Sequence, residues 1–313
     1  MTGMKIRPLG SFGVEVEGID LSEPLGETQA RALVDLVSGE HVAVIRGQAL
    51  DKASFDRFGR LWGQPIDFFF TPDLDPDYPA LIRISNSPDL DVARRDGASF
   101  WHTDGSYEYL PASYTMLYGV EAPEVGGETL FADLTAAYEA LPAATRVLAD
   151  SLMVRHKLVG GKRGPDETPL ALDPDRPDRD GGVRARKRAQ EQPIHPLVLS
   201  HPITGRKGLY ALAGTPFAIE GMSAAEGEAL LDELKAHALQ DRFIIRAKAG
   251  AGDVLIWDNL CCLHRATPLE YSAEAGKRRV LLRISTNGVP PAYAATRKPA
   301  FEARPEMGSI KFG

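Results

Sequence analysis

The chain has 313 residues, 43% hydrophobic and 25% charged, a balance that supports a large buried core and excludes a disordered or collagen-like polypeptide. A formal net charge of −7 argues against a general nucleic-acid binder, while leaving room for a locally basic site that takes an acidic small molecule. No apolar run approaches the roughly 20 residues needed to cross a bilayer. Met1 to Pro8 lacks a signal-like apolar stretch, and the two cysteines, Cys261 and Cys262, are adjacent and cannot frame a disulfide scaffold, so a cytoplasmic location is expected.

In chain order, Phe12 to Gly18 alternates apolar and polar residues and predicts a strand. Glu27 to Val37 predicts an amphipathic helix with Ala30, Leu33, Val34 and Val37 on one face, and Val42 to Arg46 a short buried strand. Asp51 is placed to cap a helix reaching about Trp62, with Phe55, Phe58 and Leu61 at helical spacing. Pro72 to Pro79 is acidic and proline-rich, hence loop. Tyr114 to Val120 is the next strand, Gly126-Gly127 a turn, and Thr129 to Phe131 extended again. Asp133 to Leu148 predicts a helix bent near Pro142. Gly160 to Gln192 carries four prolines, a glycine pair and charges of both signs, and reads as a long insertion or lid. Strand signals resume at Pro196 to Leu199, Ser223 caps a helix through about Ala238, and Phe243 to Arg246, Val254 to Trp257 and Val280 to Ile284 are further strands. Many short strands with few helices predict a mainly β fold, a sandwich or barrel with flanking helices, in one domain spanning 1–313 with its insertion at about 160–192.

The sharpest chemical signal is Trp101-His102-Thr103-Asp104. In extended chain, residues two apart point the same way, so His102 and Asp104 can face one ion. An imidazole with a carboxylate begins the two-histidine, one-carboxylate facial arrangement of non-haem iron sites, which leaves three coordination positions open. His-x-Asp alone is a frequent chance match, and the pattern needs a second histidine. Of the other six, His41 precedes a buried strand, His156 sits between Arg155 and Lys157, His195 and His201 precede prolines, and His237 lies near a helix C-terminus. Each of these fits a packing or surface role. His264 differs in context, following a strand that runs into Trp257-Asp258-Asn259 and then Cys261-Cys262-Leu263. Beyond it, Arg279, Leu281 and Arg283 share one face of a strand. Arginines on such a face call for an anion if buried, and are otherwise solvated surface charges.

Taken together and in this order, Trp101-His102-Thr103-Asp104, Gly126-Gly127-Glu128-Thr129-Leu130, Asp133 through Ala140-Leu141-Pro142, Gly252-Asp253 through Trp257-Asp258-Asn259, His264 and Arg278-Arg279 resemble the family of taurine dioxygenase and 2,4-dichlorophenoxyacetate dioxygenase. The resemblance runs from about Val14 to Ser285. It implies a double-stranded β-helix, that is a jelly-roll or cupin-like core, and an enzyme that uses Fe(II), 2-oxoglutarate and O2. By position, His102, Asp104 and His264 match the iron ligands, Thr129 and Arg279 match the residues that meet the 2-oxoglutarate carboxylate, and Trp257 matches an aromatic residue near the iron. Arg283 matches an arginine that meets a substrate anion.

Departures from the family bear on the substrate. Gln64 stands where the taurine enzyme has a histidine, Asp67 lies near a tyrosine position, and Ala98 falls near an asparagine position. Taurine is therefore not the expected substrate. Gln64 and Phe69, the latter within Phe68-Phe69-Phe70, are expected to meet a more apolar substrate body, with Lys157 or Lys162 as a second anion contact. The implied reaction oxidises, most simply hydroxylates, a C–H bond of a small organic anion with release of succinate and CO2. Desaturation or another oxidative step by the same apparatus is the alternative. Asp104 disfavours a halogenase, whose halide site arises by loss of the carboxylate. A metal-dependent hydrolase or isomerase on the same fold, or a non-catalytic metal-binding sensor, is the different-class reading, which need not retain all three ligands and the cosubstrate arginine. No nucleic acid or membrane partner is expected, and self-association is left open.

Overall fold

The computed structural model describes residues 3–66, 75–88, 98–158 and 192–302. Phe68 to Phe70, Lys162 and all but the last residue of the 160–192 insertion lie outside the described residues. From the N-terminus come β1 (Lys5–Pro8), β2 (Val14–Glu17), α1 (Glu27–Glu40), β3 (Val42–Ile45), α2 (Lys52–Arg60), β4 (Gln64–Pro65) and β5 (Ile82–Ser85). Then follow β6 (Tyr114–Glu121), β7 (Thr129–Asp133), α3 (Leu134–Glu139), α4 (Ala143–Ala149), β8 (Met153–His156) and β9 (Ile194–Pro196). The remainder is β10 (Val198–Ser200), β11 (Lys207–Leu209), β12 (Pro216–Ile219), α5 (Ala224–Ala238), β13 (Ile244–Ala247), β14 (Val254–Asp258), β15 (Cys262–Ala266) and β16 (Val280–Asn287).

The large sheet runs β1-β2-β3-β14-β6-β16-β4, with β5 also on β16. A second sheet, β13-β7-β15, lies opposite it, and β12-β8-β9 and the β10-β11 pair complete the strands. Alternation of side chains explains the layering. On β3, Val42 and Val44 point between the two main sheets, while Ala43 and Ile45 point outward under α1 and α2. On β14, Leu255 and Trp257 go inward, and Val254 and Ile256 outward. The inner core includes Phe131, Leu117, Leu255 and Leu281; a third core packs α3 and α5 on the back of the second sheet through Leu134, Leu234 and Leu263. This is the expected mainly β jelly-roll with outer helices.

Local signals decide the element ends. Asp51 and Ser223 each close a capping box, with Ser54 and Glu226 respectively. The helix expected from Asp133 to Leu148 is instead two helices, α3 and α4, with Pro142 as N-cap of the second. Proline lacks the N–H that would carry the first helix onward. At Gly119 on β6, an added Cβ would lie 2.0 Å from the carbonyl oxygen of Gly250. Gly119→Ala is therefore expected to destabilise by roughly 1–3 kcal/mol or more through overpacking. An unchanged urea midpoint would show that the turn between β13 and β14 moves away from β6 there without cost.

Candidate active site

Two of the three expected ligands meet through backbone pairing. His102 forms an isolated antiparallel bridge with His264 of β15, its N–H donating to the His264 carbonyl at 3.0 Å and its carbonyl accepting from the His264 N–H at 2.9 Å. Leu263 faces the outer core, so its neighbour His264 faces inward, beside Trp257 at 4.7 Å between ring centroids. The two histidine rings are 4.2 Å apart. Asp104, two residues beyond His102, returns to the same side. Its Oδ1 lies 3.7 Å from His102 Nε2 and its Oδ2 3.7 Å from His264 Nε2. One donor atom from each of the three residues lies within 4.8 Å of the other two.

The protonation of these groups suits a metal. His102 Nδ1 bonds the Phe100 carbonyl at 2.7 Å. A carbonyl only accepts, so Nδ1 carries the proton, and in the neutral ring Nε2 presents a bare lone pair to the cluster. Burial, reinforced by His102, pushes the His264 imidazole well below its usual range, although Asp104 opposes that, so the ring is neutral at pH 7. Its Nδ1 is buried without a hydrogen-bond partner among the described residues. Burial by itself would raise Asp104, yet Arg283, His264, His102 and the Thr115 hydroxyl together hold its carboxyl below the usual carboxylate range. Neutral imidazoles and an ionised carboxylate are the ligating forms.

Behind the cluster lies a polar network that the sequence reading did not assign. Thr115 on β6 donates to Asp104 Oδ2 at 2.7 Å, and its oxygen accepts from Asn259 Nδ2 at 3.0 Å. Asn259 Oδ1 in turn accepts from the Asp104 backbone N–H at 3.2 Å and from Trp257 Nε1 at 3.1 Å. Ser285 of β16 joins Thr115 at 2.9 Å. Asn259 stood in a quoted motif, but nothing local marks Thr115 among the apolar residues of β6. Trp257, expected near the iron, packs on His264 and orients Asn259. Thr115→Val keeps the volume and removes the bond to Asp104. It is expected to weaken Fe(II) binding about 10- to 100-fold, read by titration with the metal, whereas unaltered affinity would make the hydroxyl a packing group only.

Arg278 and Arg279 divide as alternation requires. Arg278 forms a fork with Glu121, both bonds 2.9 Å, at the partly exposed sheet margin. Arg279 turns inward, and its guanidinium makes no hydrogen bond or ion pair among the described residues. Burial pushes it down to about 10, with Glu128 opposing. A Cβ at Gly127, a left-handed position with φ 79°, would touch Arg279 Cδ at 3.4 Å, so the Gly126-Gly127 turn brings the chain against this arginine. Two residues on, Thr129 opens β7; it is buried, and its hydroxyl makes no hydrogen bond among the described residues.

The residues expected to meet the substrate are placed less uniformly. Arg283 reaches the cluster, but its guanidinium pairs with Asp104 Oδ1 at 2.8 Å. A buried carboxylate needs a countercharge, and Arg283 supplies one to Asp104. Gln64 is not brought to the cluster. It is exposed on the edge strand β4 opposite Asn287, roughly 13 Å along β16 from Arg283. Lys157 lies over the Phe217 ring at 4.5 Å, in a groove beside α5. Phe69 lies outside the described residues.

Among the other histidines, His195, expected in a turn, sits in β9. His201 does sit at a turn. Its Nδ1 accepts the N–H groups of Ile203 and Thr204, so Nε2 bears the proton and donates to Asp258 at 2.8 Å. His201, Asp258 and Cys261 form a second close trio, but these bonds already use the donors and acceptors of His201, which makes the trio a structural clasp. Burial pushes His156 well below its usual range and His195 down to about 4. Below about pH 6.5 the unfolded chain takes up protons at these rings that the folded chain refuses. Stability is then full above that pH and falls as the pH falls. The denaturation midpoint of the metal-free protein is expected to be lower at pH 5 than at pH 7.5, and a flat profile would contradict the burial of both rings.

A jelly-roll in which two histidines and an aspartate converge, with an inward-turned arginine that has no partner among the described residues, fits the class of non-haem iron oxygenases. The comparisons agree. Residues 5–285 match the model of the taurine catabolism dioxygenase TauD, TfdA family, and the chain belongs to that family. It is 35% identical over 287 residues to the alpha-ketoglutarate-dependent 2,4-dichlorophenoxyacetate dioxygenase of Cupriavidus pinatubonensis, covering 88% of this chain and 94% of that one. It is 30% identical to the alpha-ketoglutarate-dependent sulfate ester dioxygenase of Pseudomonas putida, covering 90% and 88%. Among solved structures, a taurine dioxygenase from Burkholderia xenovorans matches with TM-score 0.72 and 27% identity over 97% of this chain and 96% of that one. AAD-2 in complex with Mn(II) and N-oxalylglycine matches with TM-score 0.71 and 26% identity over 96% and 100%. The protein is a 2-oxoglutarate-dependent dioxygenase that uses Fe(II), 2-oxoglutarate and O2. The sensor, hydrolase and isomerase readings fall with that assignment. No helix among the described residues is long and apolar enough to cross a membrane.

Proposed function

We propose that His102, Asp104 and His264 hold the Fe(II), that Arg279 with Thr129 holds the far carboxylate of 2-oxoglutarate, and that the enzyme hydroxylates a C–H bond of a small organic anion. The observation that carries this reading is the inward-facing trio of donor atoms within 4.8 Å, together with an inward-turned guanidinium that has no partner among the described residues. The donor set fits the metal, because its protonation states are already those of ligands. Arg279 fits a carboxylate, because a buried guanidinium fork gains most from a bidentate anion. The bound iron and 2-oxoglutarate supply the oxidising chemistry, in which O2 is consumed, succinate and CO2 are released and one oxygen atom reaches the substrate.

The protein's own residues do the rest. His102 Nε2 and His264 Nε2 present lone pairs, and Thr115 and Asn259 keep Asp104 from rotating. Trp257 and Phe131 pack around His264 and keep water from that side. Arg283 stands at Asp104, so a substrate anion that meets this arginine has its neighbouring C–H bonds beside the metal. An anionic substrate is supported by the relatives, whose names specify phenoxyacetate, sulfate ester and sulfonate. Packing of all three apolar cores on the same two sheets supports the reading of the chain as one dioxygenase unit.

The test is a screen of carboxylates, sulfonates and sulfate esters with Fe(II) and 2-oxoglutarate, reading succinate and the oxidised product. Succinate formation stimulated by an organic anion, and weakened in apparent substrate affinity by Arg283→Ala, is the expected result. Stimulation by neutral compounds alone would overturn the anionic-substrate reading.

A further inference from the structure

Two buried histidines outside the cluster grip the loop that carries two of its members. β8 and β9 pair with Val154 opposite His195, which sets the His156 and His195 rings 5.2 Å apart. Both are buried. His156 Nδ1 bonds Thr215 Oγ1 at 2.8 Å, Thr215 Oγ1 bonds Ser106 Oγ at 2.7 Å, and Ser106 Oγ donates to the Thr103 carbonyl at 3.2 Å. His195 Nε2 donates to the Glu108 carbonyl at 2.9 Å. The segment before Thr215 also presses on this loop: a Cβ at Gly214 would lie 3.1 Å from His102 Cβ and 3.3 Å from the Trp101 carbonyl.

Counting protons gives the relay a direction. The Ser106 proton is spent on Thr103, so Ser106 accepts from Thr215, and Thr215 in turn accepts from His156. Nδ1 of His156 therefore carries the proton. Nε2 is left an acceptor, buried and without a hydrogen-bond partner among the described residues, and the buried Tyr210 hydroxyl nearby is also without one among them; the two rings are 6.4 Å apart. A ring that only filled space would not need a donor aimed at Thr215, and an apolar side chain would avoid the unpaired Nε2. The carbonyl at the end of the relay belongs to the peptide joining Thr103 to Asp104, directly before the second donor residue.

We infer that His156 is a positioning residue for the reaction, acting through Thr215 and Ser106 to fix the Thr103–Asp104 peptide, while His195 fixes the turn that follows. His156 touches neither the cluster nor any place where a substrate would react; its effect is on the geometry of His102 and Asp104. This rests on the reading of His102, Asp104 and His264 as the metal centre.

The experiment uses the full chain and Mn(II), a redox-inert probe, with metal affinity and thermal unfolding measured in parallel on His156→Leu, His156→Asn, Thr215→Val and Thr215→Ser. Asparagine keeps an N–H close to the Nδ1 position, and serine keeps the hydroxyl. His156→Leu and Thr215→Val are expected to weaken Mn(II) binding by about tenfold or more, and His156→Asn and Thr215→Ser to restore most of it, whatever each does to the unfolding temperature. If Thr215→Val binds Mn(II) as tightly as the unaltered protein, or if the valine and serine variants lose affinity equally, the relay is packing only and the inference is overturned. The Thr215 pair decides the matter if His156→Leu does not fold. If the unaltered protein itself fails to bind Mn(II), or binds it no better than His264→Ala, it is the metal-centre reading that fails, and the positioning role with it.

Discussion

His102→Ala and His264→Ala are expected to abolish tight Fe(II) binding and, with it, conversion of 2-oxoglutarate to succinate. Each removes one of three donors that converge within 4.8 Å, and the described residues hold no other histidine, cysteine or carboxylate at this cluster to replace it. Asp104→Ala should differ in kind. It removes the same metal affinity, but it also takes from Arg283 the carboxylate it pairs with at 2.8 Å. Breaking a buried pair from one side costs about 3–5 kcal/mol, most of it the penalty of the remaining charge. Asp104→Ala is therefore expected to be destabilised as well as inactive. The double variant Asp104→Ala/Arg283→Leu should regain stability without regaining metal, and Asp104→Glu should bind metal poorly because the added methylene displaces the carboxylate from Thr115. Anaerobic Fe(II) titration separates the metal effect from urea denaturation of the metal-free protein. Succinate formation at the unaltered rate by either histidine variant would remove the assignment.

Arg279→Ala is expected to raise the 2-oxoglutarate requirement by roughly 30- to 3000-fold, the range for truncating one partner of a buried charge-assisted pair. Fe(II) affinity should stay near that of the unaltered protein, since none of the three donors touches this side chain. Arg279→Lys should recover only part of the loss, because an ammonium cannot reproduce the planar fork. Arg278→Ala is the control. Its bond to Glu121 lies at the partly exposed margin, where such pairs contribute about 0–1 kcal/mol, and cosubstrate affinity should not move. A second readout has the opposite sign. Without cosubstrate, the Arg279 guanidinium is buried at a cost that Glu128 offsets only in part, so Arg279→Leu should leave the metal-free protein as stable as before or more so. Loss of cosubstrate affinity in the Arg278 variant but not the Arg279 variant would shift the inward face of this strand by one residue.

Much of this site is legible in local pattern. His102 and Asp104 share a face because extended chain repeats every two residues, and that rule needs no neighbour. The same rule turns Arg279 inward and Arg278 outward, and capping chemistry places Asp51 and Ser223 at the starts of their helices. The bend expected at Pro142 was legible in kind but not in degree, since a missing N–H weakens a helix and only packing decides whether the chain restarts. Gln64 lies exposed on β4, and position relative to a family motif does not by itself say whether a side chain ends on an edge strand or in a pocket.

By itself, then, the sequence determined the elements and the mainly β layering, because periodicity, capping and side-chain chemistry are properties of neighbours along the chain, while His102, Asp104 and His264 were singled out as a set only by the family resemblance. What only the tertiary structure decided are the pairings between distant segments. His264 became the partner of His102 through a single antiparallel bridge across 162 residues of chain, read directly from their numbers. Thr115 on β6 and Asn259 just beyond the end of β14 came to hold Asp104 because those two strands adjoin in the folded sheet, and Arg283 settled on Asp104 because burial left that carboxylate in need of a cation. Such contacts depend on strand register, and register is set by the fit of whole apolar faces, a sum over the fold that no local stretch of residues contains.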